Sequence, residues 1–399
     1  MSSKWDNNEV VQRFREYLKI PSVHPDVDYG DCVKFLKKQA SFLDLPVVVY
    51  EFVPKKPIVV ITWKGLQPEL PSILLNSHMD VVPVYEERWT YPPFDAIISE
   101  DGYIYARGSQ DMKSIGMMHL EGVRKLKEAG VRLKRTIHIS FVPDEEIGSA
   151  GGMHVFSESD EFKKLNIGFS LDESGPDMYP KEILAFCTER TTRQVIVTCR
   201  GKPGHGSLLE SGTAGEKIHY MIDKFMNLRA QEKEKLDEGI WYGDVTTINL
   251  TQLSGGVQIN VLPESLSVSF DIRIAPDVDL DNFEEMISQW CKEAGDGVSF
   301  EYKVKNPQVK ATKIGGNMPF WVAMEKAVSD MGFSIRVVTC PGSTDARFVR
   351  RQGIPVINFS PLFDSLPLLH GHDERLRVDV FLKGIDIMEK VVQAVANVP

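Results

Sequence analysis

Cysteine is scarce in this sequence and forms no recognisable pattern. The 399 residues include only Cys32, Cys187, Cys199, Cys291 and Cys340, and no two of them make a Cys-x-x-Cys pair. An odd number of scattered cysteines argues against a disulfide framework and against a thiolate metal site. We therefore expect reduced, mostly buried thiols in a cytoplasmic protein.

Long apolar runs and an excess of positive charge are also missing. No stretch approaches the roughly 18 consecutive apolar residues of a membrane span, and residues 1–8 contain no apolar core of a signal sequence. The formal net charge of −10 disfavours nucleic acid and anionic membranes as partners. These absences predict a soluble cytoplasmic protein.

What is present is an ordinary globular composition, long enough for two domains. Hydrophobic residues make up 42% and charged residues 26% of the chain, and its length favours more than one core. Alternating strand and helix patterns run to about residue 189 and resume near residue 309. The segment between them has the ferredoxin-like βαββαβ order. We therefore predict an α/β fold with a discontinuous domain, 1–189 and 309–399, and an inserted domain, 190–308.

A short apolar run, 72–77, predicts a buried strand that ends in polar residues. His78 and Asp80 follow it, and their side chains point the same way because strand side chains alternate. An imidazole beside a carboxylate at the carboxyl end of a strand suits a metal ion. Taken alone, a solvated polar strand end is the better explanation of such a pair.

Three further acidic segments make a metal site a better explanation than a solvated strand end. Asp111 begins a helix after a strand and a glycine turn, where it is either an N-cap or a ligand. Glu145 and Glu146 follow strand 135–142, and Glu173 follows strand 167–171. Adjacent carboxylates are costly to place unless water or cations surround them. Polar residues of this kind follow four strands of one predicted domain. Solvated turns are therefore a poor explanation of all four strand ends.

The set has the chemistry of a two-metal site. Catalytic zinc takes His, Asp and Glu ligands and keeps one position open for water. Two metals need a bridging carboxylate, and so roughly five protein ligands. The chain offers His78, Asp111, Glu146 and Glu173, and the segment 368–374 adds His370 or His372.

Six motifs in order resemble one enzyme family. They are Ser-His-x-Asp at 77–80, Ala-Arg-Gly-x-x-Asp-Met-Lys at 106–113, Pro-Asp-Glu-Glu-x-Gly at 143–148, Leu-Asp-Glu at 171–173, Gly-x-Pro-Gly-His at 201–205 and His-x-x-x-Glu at 370–374. Together they resemble the zinc aminoacylase/carboxypeptidase family of co-catalytic metallohydrolases, and its aminoacylases in particular.

The resemblance implies an activity and an assembly. The expected reaction is the hydrolysis of N-acyl-L-amino acids to a carboxylate and a free L-amino acid, by a hydroxide between two zinc ions per subunit. A dipeptidase or metallocarboxypeptidase of the same family is the alternative. The resemblance also implies a mixed sheet flanked by helices in the catalytic domain, and a homodimer in which the inserted domain serves as a dimerisation and lid domain.

The same resemblance assigns roles to single residues. Asp111 is expected to bridge the metals, His78 and Glu173 to complete one site, and Glu146 and His370 the other. His370 is preferred to His372 because Glu374 follows it by four. Glu145 is the expected general base, and Asp80 the carboxylate that orients His78. His205 is the expected transition-state histidine, acting from the partner subunit, Asn260 a substrate contact, and Arg347 the clamp for the substrate carboxylate.

Three positions depart from the family's pattern. They are Met79, Gly206 and Ala346. Because they flank motif residues, we expect them to lie near the substrate and to bear on the preferred acyl group and side chain.

Overall fold

The structure is a computed structural model that describes residues 4, 5 and 7–399. Its helices are α1 Glu9–Leu18, α2 Gly30–Phe42, α3 Lys113–Glu128, α4 Met153–Glu158, α5 Asp160–Lys164, α6 Ala214–Asp237, α7 Leu280–Ala294, α8 Pro319–Asp330, α9 Ala346–Arg351 and α10 Val378–Ala396. Its strands are β1 Val47–Val53, β2 Lys56–Trp63, β3 Ser72–His78, β4 Ile97–Ile98, β5 Tyr103–Tyr105, β6 Ile137–Val142, β7 Ile167–Asp172, β8 Glu182–Glu189, β9 Thr191–Arg200, β10 Gly204–His205, β11 Thr247–Gly255, β12 Val261–Leu262, β13 Ser265–Ile274, β14 Val298–Lys305, β15 Ser334–Cys340, β16 Val356–Phe359 and β17 Arg375–Arg377. The predicted α/β class is confirmed.

The chain forms two compact units. Unit 1 contains the residues up to Cys187 together with Thr312–Val337 and Thr344–Pro399, and unit 2 contains Thr188–Ala311 and Val338–Ser343. Two of the four boundaries between the units fall within β8 and β15, and the other two fall in loops. The roles expected of the two parts, catalysis in one and dimerisation in the other, stay a prediction.

The largest sheet explains how unit 1 presents its strand ends. The strand order is β1-β2-β6-β3-β7-β16-β8-β15. Strand β3 runs parallel to both β6 and β7, whereas β2 is antiparallel to β1 and β6. The sheet is therefore mixed, as predicted. Every residue of β3 is buried, which agrees with the continuous apolar run expected of a strand covered on both faces.

Apolar helix faces bury that sheet. In α1 the core side is Val11, Phe14, Tyr17 and Leu18, and the backbone N–H of Val11 donates to Asn8 Oδ1 at 3.1 Å. Asn8 is thus the N-cap of this helix. Helix α10 supplies a second long apolar face, which includes Phe381, Ile385 and Met388.

Unit 2 has the predicted ferredoxin-like arrangement. Its sheet order is β11-β13-β9-β14, and all three pairings are antiparallel. Helices α6 and α7 complete the βαββαβ order, and their apolar residues share one core with the sheet. A capping box between Thr213 and Glu216 begins α6, which fixes the start of the helix because both side chains satisfy backbone donors.

The structure excludes one of the two alternatives for Asp111 and adds one strand. Asp111 is not an N-cap, because α3 begins at Lys113 with Met112 at the cap position and no capping side chain. The interior strand β8 was not predicted at all.

Among the residues that the structure describes, every helix is too short or too polar to span a bilayer.

Candidate metal centre

One edge of the large sheet collects most of the predicted ligands. His78 is the last residue of β3. Glu145 and Glu146 lie in a 3-10 turn, Glu145–Ile147, that follows β6, and Glu173 follows β7 directly. Because β3, β6 and β7 are parallel, their carboxyl ends meet at the same edge. The strand order thus brings these four side chains together.

Asp111 lies between two histidines. Its Oδ1 is 3.1 Å from His78 Nε2, and its Oδ2 is 3.1 Å from His370 Nε2. His78 Nε2 is also 3.5 Å from Glu173 Oε1, and His370 Nε2 is 3.0 Å from Glu146 Oε2. The two oxygens of one carboxylate therefore face two separate imidazole–glutamate pairs.

The ligand atoms are close enough to share an ion. The grouping of His78, Asp111 and Glu146 and the grouping of His78, Glu145 and Glu173 each hold their ligand atoms within 4.8 Å of one another. His372, the alternative to His370, is exposed, and its ring contacts Tyr85.

The cluster concentrates negative charge in a buried place. Burial, together with the charge of Glu173, raises the pKa of Glu145 well above its usual range. Burial and the charge of Asp111 likewise raise the pKa of Glu146 and of Glu173. Hydrogen bonds to Asp111 and Glu146 raise the pKa of His370 to about 10. The cluster therefore favours positive charge, which bound cations supply.

One atom of the cluster lacks a protein partner. Glu146 Oε1 is buried, and no hydrogen-bond donor in the described part of the chain contacts it. A buried carboxylate oxygen without a donor is costly. A cation beside it would satisfy the oxygen, so the donor set fits hard or borderline metal ions that take nitrogen and oxygen ligands.

The carboxylate of Asp80 has partners that the sequence did not predict. The atom that accepts from His78 Nδ1, at 2.9 Å, is the backbone carbonyl oxygen of Asp80, while the Asp80 carboxylate is 3.7 Å away. That carboxylate instead binds His24 Nε2 at 2.8 Å and accepts the backbone N–H groups of Glu145 and Glu146. Asp80 thus holds the turn that carries both glutamates, and the orientation of His78 by its side chain stays a prediction.

Sequence reasoning gave no role to three residues beside the cluster. His24 lies in a loop before Pro25, and no sequence signal singled it out. Arg107 and Glu374 lie within two of the six motifs, yet only the structure reveals that they form a buried ion pair, with a 2.6 Å contact.

The predicted substrate-binding residues are divided between the units. Arg347 belongs to unit 1, and its guanidinium lies over the ring of Phe348 at 4.5 Å and donates to the carbonyl of Thr344. His205 and Asn260 belong to unit 2. Within that unit they are neighbours, because β10 pairs with β12 and Gly206 N donates to Asn260 O at 2.8 Å.

Two of the three departures from the family pattern are core residues. Met79 and Ala346 are fully buried within hydrophobic clusters. Neither side chain is therefore exposed in this structure, and the expectation that these positions lie near the substrate stays a prediction. Gly206 lies beside Asn260, where a Cβ would come within 3.1 Å of the Asn260 backbone.

Comparison with known proteins decides the family. A family model described as Peptidase family M20/M25/M40 matches residues 74–394. The chain belongs to this family. Aminoacylase-1 of Sus scrofa is 45% identical over 402 residues, covering 100% of this chain and 98% of the relative. Aminoacylase-1 of Homo sapiens is 43% identical over 403 residues, with the same coverage.

Solved structures agree with the fold of this M20-family chain. The M20 family metallo-carboxypeptidase of Sulfolobus solfataricus gives a TM-score of 0.74 at 18% identity, over 98% of this chain and 99% of that one. A dinuclear metal-binding peptidase of the M20 family from Bacillus subtilis gives 0.68 at 16% identity, over 98% and 100%. The expected resemblance to aminoacylase-1 is confirmed, and the chain is a hydrolase that acts on amide bonds.

Proposed function

We propose that this chain hydrolyses N-acyl-L-amino acids to a carboxylate and a free L-amino acid, with two zinc ions in each subunit. The observation that carries the proposal is the shared Asp111, whose two oxygens each face a separate imidazole–glutamate pair. Full-length similarity to aminoacylase-1 supports the N-acyl amino acid as the substrate.

Five residues would hold the metals. Asp111 would be shared, with His78 and Glu173 on one side and Glu146 and His370 on the other. The partnerless Glu146 Oε1 supports this assignment. When bound, such cations lower the pKa of a coordinated water to about 7 and polarise the amide carbonyl.

Glu145 would move the proton. It lies in the same grouping as His78 and Glu173, so its carboxylate can accept a proton from water that attacks the amide carbon. The same carboxyl group would then return that proton to the leaving amine nitrogen. Asp80 supports this step, because its hydrogen bonds to the backbone of Glu145 and Glu146 fix the turn that presents both side chains.

Arg347 would bind the carboxylate of the amino-acid part. A planar guanidinium offers two parallel donors to a carboxylate, and the ring of Phe348 supports one face of it at 4.5 Å. Asn260 would contact the substrate from unit 2. His205 would stabilise the oxyanion that develops on the amide carbonyl.

We further propose a homodimer in which His205 completes the site of the partner. His205 is exposed, so its ring is free to contact a second chain. Unit 2 carries apolar side chains that are more than half exposed, namely Leu208 and Leu209, close to His205 in sequence, and Val257 and Ile259, close to its neighbour Asn260. Exposed apolar residues of this kind are typical of an interface.

The compartment that we propose is the cytoplasm. All five cysteines are free, and none of them pairs in the described residues. Reduced thiols are typical of cytosolic proteins.

One assay tests the activity. Purified enzyme is supplied with zinc and given a panel of N-acetyl-L-amino acids beside free dipeptides with the same carboxyl-terminal residue. We expect release of free amino acid from the acetylated series, with kcat/KM at least tenfold higher than for dipeptides. Faster turnover of the dipeptides would favour the dipeptidase or carboxypeptidase alternative and would overturn the proposal.

A further inference from the structure

A buried glutamate joins the two loops that meet at the candidate metal centre. Glu374 is fully buried. Its Oε2 accepts from Arg107 Nη1 at 2.6 Å and from the backbone N–H of Gly108 at 3.0 Å. Its Oε1 accepts from the backbone N–H of Gln110 at 2.6 Å and of Asp111 at 3.2 Å. The segment that ends in Asp111 is thus wrapped around one carboxylate.

Arg107 extends this connection to His370. Its Nη1 binds Glu374, and its Nη2 donates to the backbone carbonyl of His370 at 3.3 Å. The guanidinium is buried and lies 5.3 Å from the centre of the Trp89 ring. The guanidinium of Arg107 therefore connects Glu374, which accepts the backbone N–H of Asp111, to the backbone of His370.

The side chain of Gln110 adds a second connection between the same loops. Its Nε2 donates to the carbonyl oxygens of Leu366 and Arg375, and its Oε1 accepts from the N–H of Leu368. His370 itself has a φ of +61°, a left-handed conformation that non-glycine residues adopt rarely and that surrounding contacts must maintain. The loop geometry at His370 therefore depends on these contacts.

We propose that Glu374 and Arg107 are positioning residues that fix Asp111 and His370 relative to each other, and so control the metal held by Glu146 and His370. This inference rests on the proposed two-metal site. The opposite side depends on them less, because two of its three proposed ligands, His78 and Glu173, lie at the ends of strands of the large sheet and not in these loops.

Both oxygens of Glu374 act only as acceptors, which makes the amide a sharp test. In Glu374→Gln, either orientation of the side chain turns an NH2 group toward two N–H donors. The size of the residue hardly changes, yet two hydrogen bonds are lost. We expect the zinc ion held by Glu146 and His370, the second zinc, to bind about 10–100-fold more weakly, the usual effect of losing a contact that orients a metal ligand. The first zinc, which shares only Asp111 with these loops and keeps His78 and Glu173, should lose clearly less affinity.

The matched control is Glu121→Gln. Glu121 lies in α3, is 1% exposed and is also paired with arginines, namely Arg13 at 2.8 Å and Arg124 at 3.1 Å. It therefore reproduces the loss of a buried, arginine-bound carboxylate without contacting the Asp111 or His370 loops. We expect it to lower the unfolding midpoint while both zinc affinities stay at the wild-type values.

The measurement is zinc binding to metal-free protein in competition with a chromophoric chelator. If Glu374→Gln binds each zinc ion with the same affinity as the wild type, the inference is overturned. It is also overturned if Glu121→Gln loses as much zinc affinity as Glu374→Gln. Fewer than two zinc ions in the wild type would instead overturn the two-metal site, and this inference with it. If Glu374→Gln does not fold, Arg107→Lys decides, because one ammonium cannot hold Glu374 and the His370 carbonyl in the fork of a guanidinium. Arg107→Lys should selectively weaken binding of the zinc ion held by Glu146 and His370. Unchanged affinity for this zinc ion would overturn the inference.

Discussion

Acid should destabilise this protein through His119, a histidine buried in α3. The side chain is fully buried, and within the described residues neither ring nitrogen has a hydrogen-bond partner. Burial lowers the pKa of His119 to about 3, from an ordinary value of 6.5. Between these two pH values His119 is protonated in the unfolded chain and neutral in the folded chain. Stability is therefore complete above pH 6.5 and falls as the pH drops toward 3.

The magnitude follows from the size of that gap. At pH 5 the unfolded histidine lies about 1.5 pH units below its pKa, and each unit corresponds to about 1.4 kcal/mol, so His119 alone should cost about 2 kcal/mol. The assay is urea unfolding at pH 7.5 and pH 5, followed by tryptophan fluorescence, for the wild type and for His119→Leu.

Comparison of the two proteins isolates this residue. Other groups that titrate in the same range, such as His138 with a pKa lowered by burial to about 4, are present in both and cancel. The wild type should lose about 2 kcal/mol more than His119→Leu between the two pH values. An equal loss in both proteins would refute the reasoning, because His119 would then be protonated as easily in the folded state as in the unfolded one.

Three further predictions concern the catalytic proposal. Glu145→Gln should lower kcat by several orders of magnitude and leave the zinc content unchanged, whereas Glu146→Gln should lose zinc; metal analysis with the opposite pattern would exchange the two roles. Arg347→Ala should cost about 2–5 kcal/mol in kcat/KM for N-acyl amino acids. Wild-type enzyme should turn over the corresponding amides poorly, and equal rates for acid and amide would remove the clamp. Co-refolding the inactive variants His205→Ala and Glu145→Gln should restore about a quarter of wild-type activity, because half the dimers are mixed and each has one intact site. No recovery in verified mixed dimers would place His205 in its own chain's site.

Sequence patterns predict the elements near the candidate site well where local signals are strong. The run 72–77 has the apolar centre Ile73, Leu74 and Leu75 and is buried throughout, and this short apolar centre made the strand predictable. Helix α7, Leu280–Ala294, carries equally clear local signals, because Asp279 caps it, apolar residues recur with helical spacing and Gly295 ends it.

What the sequence could not supply is the tertiary partner of each polar group. An Asp after a glycine turn is usually an N-cap, and only the approach of His78 and His370 distinguishes Asp111 from that common case. Asp80 was assigned to His78, the nearest histidine in sequence. Its carboxylate binds His24, 56 residues away, and also accepts from the backbone of the Glu145–Ile147 turn, which follows a different strand. Such pairings depend on strand order, which periodicity does not encode.

The position of β16 in the large sheet has a consequence for biosynthesis. This strand lies between β7 and β8 and pairs with both, although it comes from residues Val356–Phe359, close to the end of the 399-residue sequence. A ribosome that has just made β7 must add nearly 190 more residues before β16 exists, which takes about 10–40 s at 5–20 residues per second. During that interval the nascent sheet has an unpaired interior edge beside Glu173, the kind of edge that recruits foreign strands. Chains that terminate before Val356 should therefore accumulate as aggregates even though most of the candidate metal ligands are already in them.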